Sequence, residues 1–353
     1  MSKFTVNGLP WAPRGNRVVD VTDCETSTDV IKKSKLDFTV TKCPIVAEMP
    51  WHGQSKEDIM VDHFIKDTNI YASVDGFYAT YRNDWMFPLG LVKSKYEIVQ
   101  NIDAFNFFDD AIGEGMAKWQ TAGYFGNGER IFVTAKLPFT VDVSGGDAID
   151  TYLVFTNSHD GTHGVDILFT PIRVICQNTL NAAIKTSDCH IRFRHTQSVH
   201  GKISEAAEIL GITKAKAEYT KELYKSLTLV NMSDMEVMKF VASCHLTDEE
   251  YAKVLAYPND SGFRRLFYRD FGLLEDTKIS TRKANICVST LEYYFDGIGQ
   301  KQIAGTAWGA YNAITGFYSN VANLEGEKRI DSLLYGNASR ITAKAMETLL
   351  QVA

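Results

Sequence analysis

The stretch "NSHDGTHG", Asn157 to Gly164, sets two imidazoles, His159 and His163, around the carboxylate of Asp160, with Asp166 two residues beyond. Imidazole and carboxylate are competent ligands for zinc or iron, and as a pair they can carry protons. The same residue types, Asn, Ser, Asp and Gly, are also what a tight connection between antiparallel strands requires. Familiar metal sequences place their ligands on regular elements that project them together. Here they crowd a turn-like run, so the composition favours a strand connection, with a ligand-contacting loop or a metal site as the alternatives.

Other reactive side chains are sparse. Cys176 closes an apolar run and is followed by Gln177 and Asn178, so a thiol nucleophile with His190 or His195 as base is one reading. A buried cysteine ending a strand is the commoner arrangement. Asp109, Asp110 and Glu114 fall on the polar side of a helical pattern, where solvation is their ordinary role. There is no GxSxG elbow, no GxxxxGK[ST] loop and no GxGxxG after a strand. No catalytic residue, metal or cofactor is assigned.

Charge is more informative. The chain carries a formal net charge of −6, yet between Ile172 and Lys202 it holds Arg173, Lys185, Arg192, Arg194 and Lys202 against the single acid Asp188. His190, His195 and His200 add donors. "HIRFRHTQS" alternates, so a strand there would put Arg192 and Arg194 on one face, and Lys93 and Lys95 alternate in the same way. Tyr96, Trp119, Tyr124 and Phe125 supply rings near these cations. Cations along phosphates with rings against bases is how a single strand is held. The alternative is that the charges solvate a strand edge and block edge-to-edge association.

These residues must be positioned by an α+β fold, a central antiparallel β-sheet of hairpins flanked by helices, with a helical C-terminal region. Residues 1–92 read as irregular, with short strands between turns. Residues 93–202 read as the core: a strand at Ser94–Gln100, then a helix opened by Asn101 with Ile102, Phe105, Phe108 and Ile112 on one face. Four strands follow, in "KWQTAGYFG", "RIFVTAKLPF", "TYLVFTNS" and "GVDILFTPIRVIC", the first two joined by "GNGE", whose Asn-Gly is a hairpin signal. "QNTLNAAIKT" reads as a helix capped by Asn178 or Thr179, and the basic strand ends the core. Residues 203–353 turn helical, with a Thr-x-x-Glu capping box at Thr247 and Glu250 and a break near Gly336. With 353 residues, 45% hydrophobic and 23% charged, the chain has enough apolar surface for a large core. No apolar run reaches membrane-spanning length and the N-terminus lacks a secretory pattern. Six cysteines without a CxxC pair fit reduced thiols in the cytoplasm.

Several separate motifs resemble, in order, those of the phage/plasmid-like protein family, a domain of unknown function carried by phages, prophages and plasmids. They are "YEIVQNIDAFNFFDDAIGEG", "GERIFVTAKLP", "DTYLVFTNSHDGTHGVDILFTPIRVICQNTLNAAI", "IRFRHT", "GTAWGAYNAITGFYSN" and "LLYGNASRITAKAMETLL". The resemblance runs from about Pro10 to Ala353. It implies a mobile-element setting in a bacterial cytoplasm and brings no activity residue by residue. The helix–sheet–helix order is also similar to the core of single-strand annealing proteins, the Rad-type and phage Erf or Red-beta group, which form rings or filaments on DNA. This second likeness is one of fold, and fold alone does not fix function.

Together these readings give an expectation: a non-enzymatic, oligomeric protein that binds and anneals single-stranded DNA in phage or plasmid recombination. Its contacts would be Lys93, Lys95, Tyr124, Phe125, Arg173, Lys185, Arg192, Arg194, His195 and Lys202. Expected partners are single-stranded DNA, further copies of the chain in a ring or filament, and a phage exonuclease or single-strand-binding protein, with no membrane. The alternatives are a metal- or thiol-dependent enzyme acting on nucleic acid through His159, Asp160, His163, Cys176 and His195, or a structural or host-interaction protein.

Overall fold

The two apolar runs flanking "NSHDGTHG" become strands β8 (Ala148–Ser158) and β9 (Val165–Arg173), and every residue of β9 is buried. Such continuous burial means both faces of the sheet are covered. These strands lie within a seven-stranded antiparallel sheet, whose other members are β1 (Val18–Asp20), β6 (Lys118–Phe125), β7 (Arg130–Asp142), β10 (Asn178–Thr179) and β11 (His190–Phe193). The order is β1-β6-β7-β8-β9-β10, with β11 also on β9. The "GNGE" hairpin joins β6 to β7 as its sequence predicts, with Gly126 and Gly128 at positive φ. The computed structural model describes all residues except 1–3, 13–16, 51–62, 67–68, 113–117, 144–145, 181–189, 204–212 and 352–353.

One face of this sheet carries Ile131, Val133, Phe155 and Ile167. It packs on helix α2 (Asn101–Ile112), the second helix after α1 (Ser27–Lys33), through Phe105 and Phe108, and on the helical region. Ile102, expected on the same face, is 45% exposed; Ala104 takes the inward position instead. The other face carries Phe125, Phe132, Tyr152 and Leu168 and is covered by Trp11 and by Ile330 and Leu334 of helix α10 (Gly326–Leu334). Arg329, buried on α10, donates to the carbonyls of Gly8 and Leu9 at 2.6 and 2.8 Å, which ties the N-terminal segment to a helix about 320 residues away.

Residues 1–92 are more regular than their sequence indicates. Strands β2 (Val40–Pro50), β3 (His63–Lys66), β4 (Asn69–Arg82) and β5 (Phe87–Lys93) form a second antiparallel sheet in which β4 pairs with the other three. Gly76, Pro44 and the polar residues along β4 hide the pattern, because most of this sheet is half-exposed and lacks strict alternation. The expected strand at Ser94–Gln100 is instead irregular; the strand lies just before it and ends at Lys93.

The second sheet seats on the first through the "NSHDGTHG" connection. Thr80 Oγ1 donates to the His159 carbonyl at 2.7 Å. A Cβ on Gly90 would lie 2.6 Å from Asp160 Cα, so β5 approaches this closely only because residue 90 has no side chain. Arg82, buried at the end of β4, lies 3.8 Å from the rings of both Phe38 and Trp85, pairs with Asp84, and donates to the Asn127 carbonyl in the β6–β7 turn.

The chain then runs through helices α3 (Thr213–Leu229), α4 (Asp234–His245), α5 (Asp248–Leu255), α6 (Ser261–Phe267), α7 (Phe271–Thr277), α8 (Thr281–Asp296), α9 (Ala307–Gly316), α10 and α11 (Asn337–Leu350). Thr247 and Glu250 form the expected capping box on α5, and the break between α10 and α11 falls at Tyr335–Gly336. The expected helix in "QNTLNAAIKT" begins instead as the short strand β10, held by Asn320 and Ser319, and its remainder lies outside the described residues. Among the described residues no helix is long and apolar enough to cross a membrane.

Candidate functional site

The His–Asp cluster is a structural joint. His159 is fully buried, and its Nε2 donates to Asn101 Oδ1 at 2.8 Å; Asn101 Nδ2 is already given to the carbonyls of Leu36 and Phe38, which fixes the direction. Burial, with help from the nearby His195 and Arg82, pushes the His159 imidazole down to about 3. Burial alone would raise the Asp160 carboxyl. Hydrogen bonds from Ser158 and from the Thr162 hydroxyl and backbone N–H outweigh it and hold the group below the usual range. That is an Asx-type turn. His163 is exposed beside Arg130, and Asp166 is paired with Arg192. Among the described residues no three His, Cys, Asp or Glu side chains are gathered to hold a metal ion. Cys176 is buried and its thiol is pushed up by that burial, the opposite of what a nucleophile needs.

Of the proposed DNA contacts, four are inside the protein. Arg173 is fully buried and donates to Asp147 at 2.7 Å and to the Gly299 carbonyl at 3.1 Å; Asp147 also accepts from the Trp308 indole. The cation therefore joins the main sheet to α9. Tyr124 and Phe125, adjacent in β6, point to opposite faces, and both are buried. Tyr124 lies edge-on to Phe38 and Trp85, and Phe125 stacks on Phe132. His195 is buried too, and burial lowers its imidazole. Lys185 lies outside the described residues, as do Glu114 and the side chains of Asp110 and His190. Arg192 and Arg194 are both exposed; Arg192 gives two hydrogen bonds to buried Asp166, and Arg194 lies past the end of β11.

The remaining cations converge. His195 Nδ1 donates to the Glu97 carbonyl at 2.8 Å, the Glu97 N–H donates back to the His195 carbonyl at 3.1 Å, and the His195 ring stacks on Tyr96 at 4.4 Å. These contacts lock two segments, 93–97 and 194–202, side by side although about 100 residues separate them. Lys93, Lys95, Arg194, His200 and Lys202 are exposed along this ledge, with Glu97 and Asp103 as the neighbouring acids. Lys42 joins them from β2, its ammonium held by the carbonyls of Ser94 and Tyr96. Phe77, opposite Lys93 in the β4–β5 register, exposes 42% of its surface. Sequence reasoning missed Lys42 and Phe77, because their element was read as irregular; the alternation in "GFYATYR" was the available signal.

A second surface feature was also missed. Tyr268 and Phe271, in "RRLFYRDF", are 85% and 81% exposed, at the corner between α6 and α7.

A family model described as Domain of unknown function (DUF932) matches residues 88–345. No curated protein and no solved structure matches the chain.

Proposed function

We propose that this chain, which belongs to the DUF932 family of unknown function, is a non-enzymatic single-stranded DNA-binding protein. It would anneal or protect strands during recombination of a phage or plasmid in a bacterial cytoplasm. The observation that carries the reading is the ledge, where His195 and Glu97 bring two separate basic segments together on the surface of a chain whose total charge is −6. On it Lys93, Lys95, Arg194 and Lys202 neutralise phosphates, and the exposed Phe77 ring beside Lys93 stacks on a base. Arg173, His195, Tyr124 and Phe125 have no part in this contact; they support the fold beneath it, and Arg192 serves the β9–β11 pairing.

The test is a salt titration of oligonucleotide binding. Removing one cation that neutralises a phosphate flattens the slope of log affinity against log salt by about 0.7 for a single strand. A Lys93→Ala/Lys95→Ala/Arg194→Ala/Lys202→Ala variant should therefore lose up to about 3 units of slope. An unchanged slope removes the ledge assignment, and no binding by the parent protein at low salt removes the function.

A further inference from the structure

The second sheet turns one face to the main sheet and the other away from it. On β4, Thr80 and Arg82 reach back to the carbonyls of His159 and Asn127, so Phe77, Ala79 and Tyr81, at the alternate positions, point outward. On β5, buried Val92 packs towards Gly161, and its neighbours Leu91 and Lys93 therefore face out as well. The register sets Lys93 beside Phe77, Leu91 beside Ala79 and Pro88 beside Tyr81. Leu91 is 62% exposed, Phe77 is exposed with it, and Tyr81 is half-buried. Lys93 is the one charge among these six side chains. The acids nearest in sequence are Asp75, exposed beyond Phe77, and Asp84, held by Arg82.

This outward face borders the ledge. Lys93 is both the last residue of β5 and the first cation of the ledge, and the Ser94 N–H donates to the Gly76 carbonyl at 3.0 Å, which pins the start of the ledge beside Phe77. Phosphates that follow Lys93, Lys95, Arg194 and Lys202 thus run along the edge of a surface carrying two rings. An apolar sheet face left open to water marks an interaction surface, and charge selects the occupant. Cations line its border and no carboxylate stands among its six side chains, which suits a polyanion that carries flat apolar groups. Rings borne on a sheet are a general means of holding unpaired bases.

We propose that the outward face of β4 and β5 is the base-binding half of the ledge: one unpaired base stacks on Phe77, another on Tyr81 roughly 13–14 Å along the same strand, and Leu91 packs between them. The inference rests on the ledge as the site of the DNA contact. It assigns the preference for single strands to the sheet. A duplex offers its phosphates to the ledge, but its bases are already stacked and must be taken out of the helix at a cost before they can meet the rings. Ledge and face therefore divide the work, the cations setting the salt dependence and the rings setting the selectivity for unpaired strands.

Fluorescence anisotropy of the intact chain with three probes tests it: a single-stranded oligonucleotide, an abasic strand of the same length, and a duplex of the same length. The parent should bind the abasic strand roughly 30-fold or more weakly than the base-bearing one, the low end for two stacked bases. Phe77→Ala/Tyr81→Ala should lose about that factor on the base-bearing strand, lose nothing on the abasic strand or the duplex, and keep the parent's salt slope. Phe77→Tyr/Tyr81→Phe keeps both rings and should bind as the parent does, which separates stacking from damage to the sheet. Should the alanine variant fail to fold, the abasic comparison on the parent decides. A parent that binds abasic and base-bearing strands alike, or an alanine variant that binds like the parent, overturns the inference and leaves the ledge standing. A parent that binds no strand at low salt removes the ledge, and this inference with it. Alanine variants that alter the sedimenting mass while oligonucleotide affinity stays the same would overturn it and reassign the face to contact between copies.

Discussion

Acidification tests whether fully buried His159 and half-buried His245 stay neutral in the folded chain. Burial is the main cause that pushes both imidazoles down to about 3; His195 and Arg82 add to it at His159, and Lys344 adds to it at His245. An unfolded imidazole titrates near pH 6.5. Above that value both states are neutral and the shift costs nothing. As the pH falls below it, the unfolded chain takes up protons that the folded chain refuses, so stability drops from about pH 6.5 down towards about pH 3. Between about pH 7.5 and 5.5 each such residue costs about 1.4 kcal/mol, and the pair about 2.7 kcal/mol. Most carboxylates titrate below about pH 5, so the window reports mainly on imidazoles, with the lowered His195 adding to the loss and the raised Glu327 carboxyl opposing it. Urea unfolding followed by tryptophan fluorescence at both pH values measures the difference. His159→Gln loses the Phe38 packing and is less stable at either pH, but its pH dependence should be smaller by about 1.4 kcal/mol. Equal stability of the parent at the two pH values, or an undiminished dependence in His159→Gln, would refute the argument.

Two further outcomes follow from buried contacts. Arg173→Ala leaves Asp147 buried with only the Trp308 indole, and unfolding experiments should show a loss of about 3–5 kcal/mol, as for other broken buried pairs. In Gly164→Ala the new methyl would run into the Phe193 carbonyl, so β11 must move off β9; hydrogen exchange should speed up at Ile191 and Phe193, and oligonucleotide affinity should fall with it. Normal protection at those amides would show that the strand absorbs the methyl.

What the sequence could reveal was local. Turn chemistry placed the Asn127–Gly128 hairpin and the His–Asp connection, and capping placed α5, because each depends on residues a few positions apart. The ledge was half legible: the cations of "HIRFRHTQS" and "LVKSKYE" were visible, but nothing nearby says that Glu97 and His195 bring them together. The candidate contacts that lie buried share one cause. Arg173 looks like a free cation until Asp147 and Trp308 are placed beside it, and Tyr124 and Phe125 look like a stacking pair until both faces of β6 are found covered. The exposure of Tyr268 and Phe271 at the α6–α7 corner has no local signal in the sequence. Only the left-handed turn at Arg269 turns them outward.

The grip of Arg329 on Gly8 and Leu9 also sets an order of events during synthesis. At roughly 5–20 residues per second, the ribosome needs roughly 15–60 s to make the intervening chain. For that time Trp11 has no α10 to dock against, and for roughly its second half, once β9 has been made, the face of the main sheet bearing Phe125 and Phe132 lacks its cover. A segment made early is among the last secured, and between the completion of β9 and that of α10 the nascent chain carries an open apolar sheet face. That is the interval in which chaperone capture or aggregation would decide the yield of folded protein.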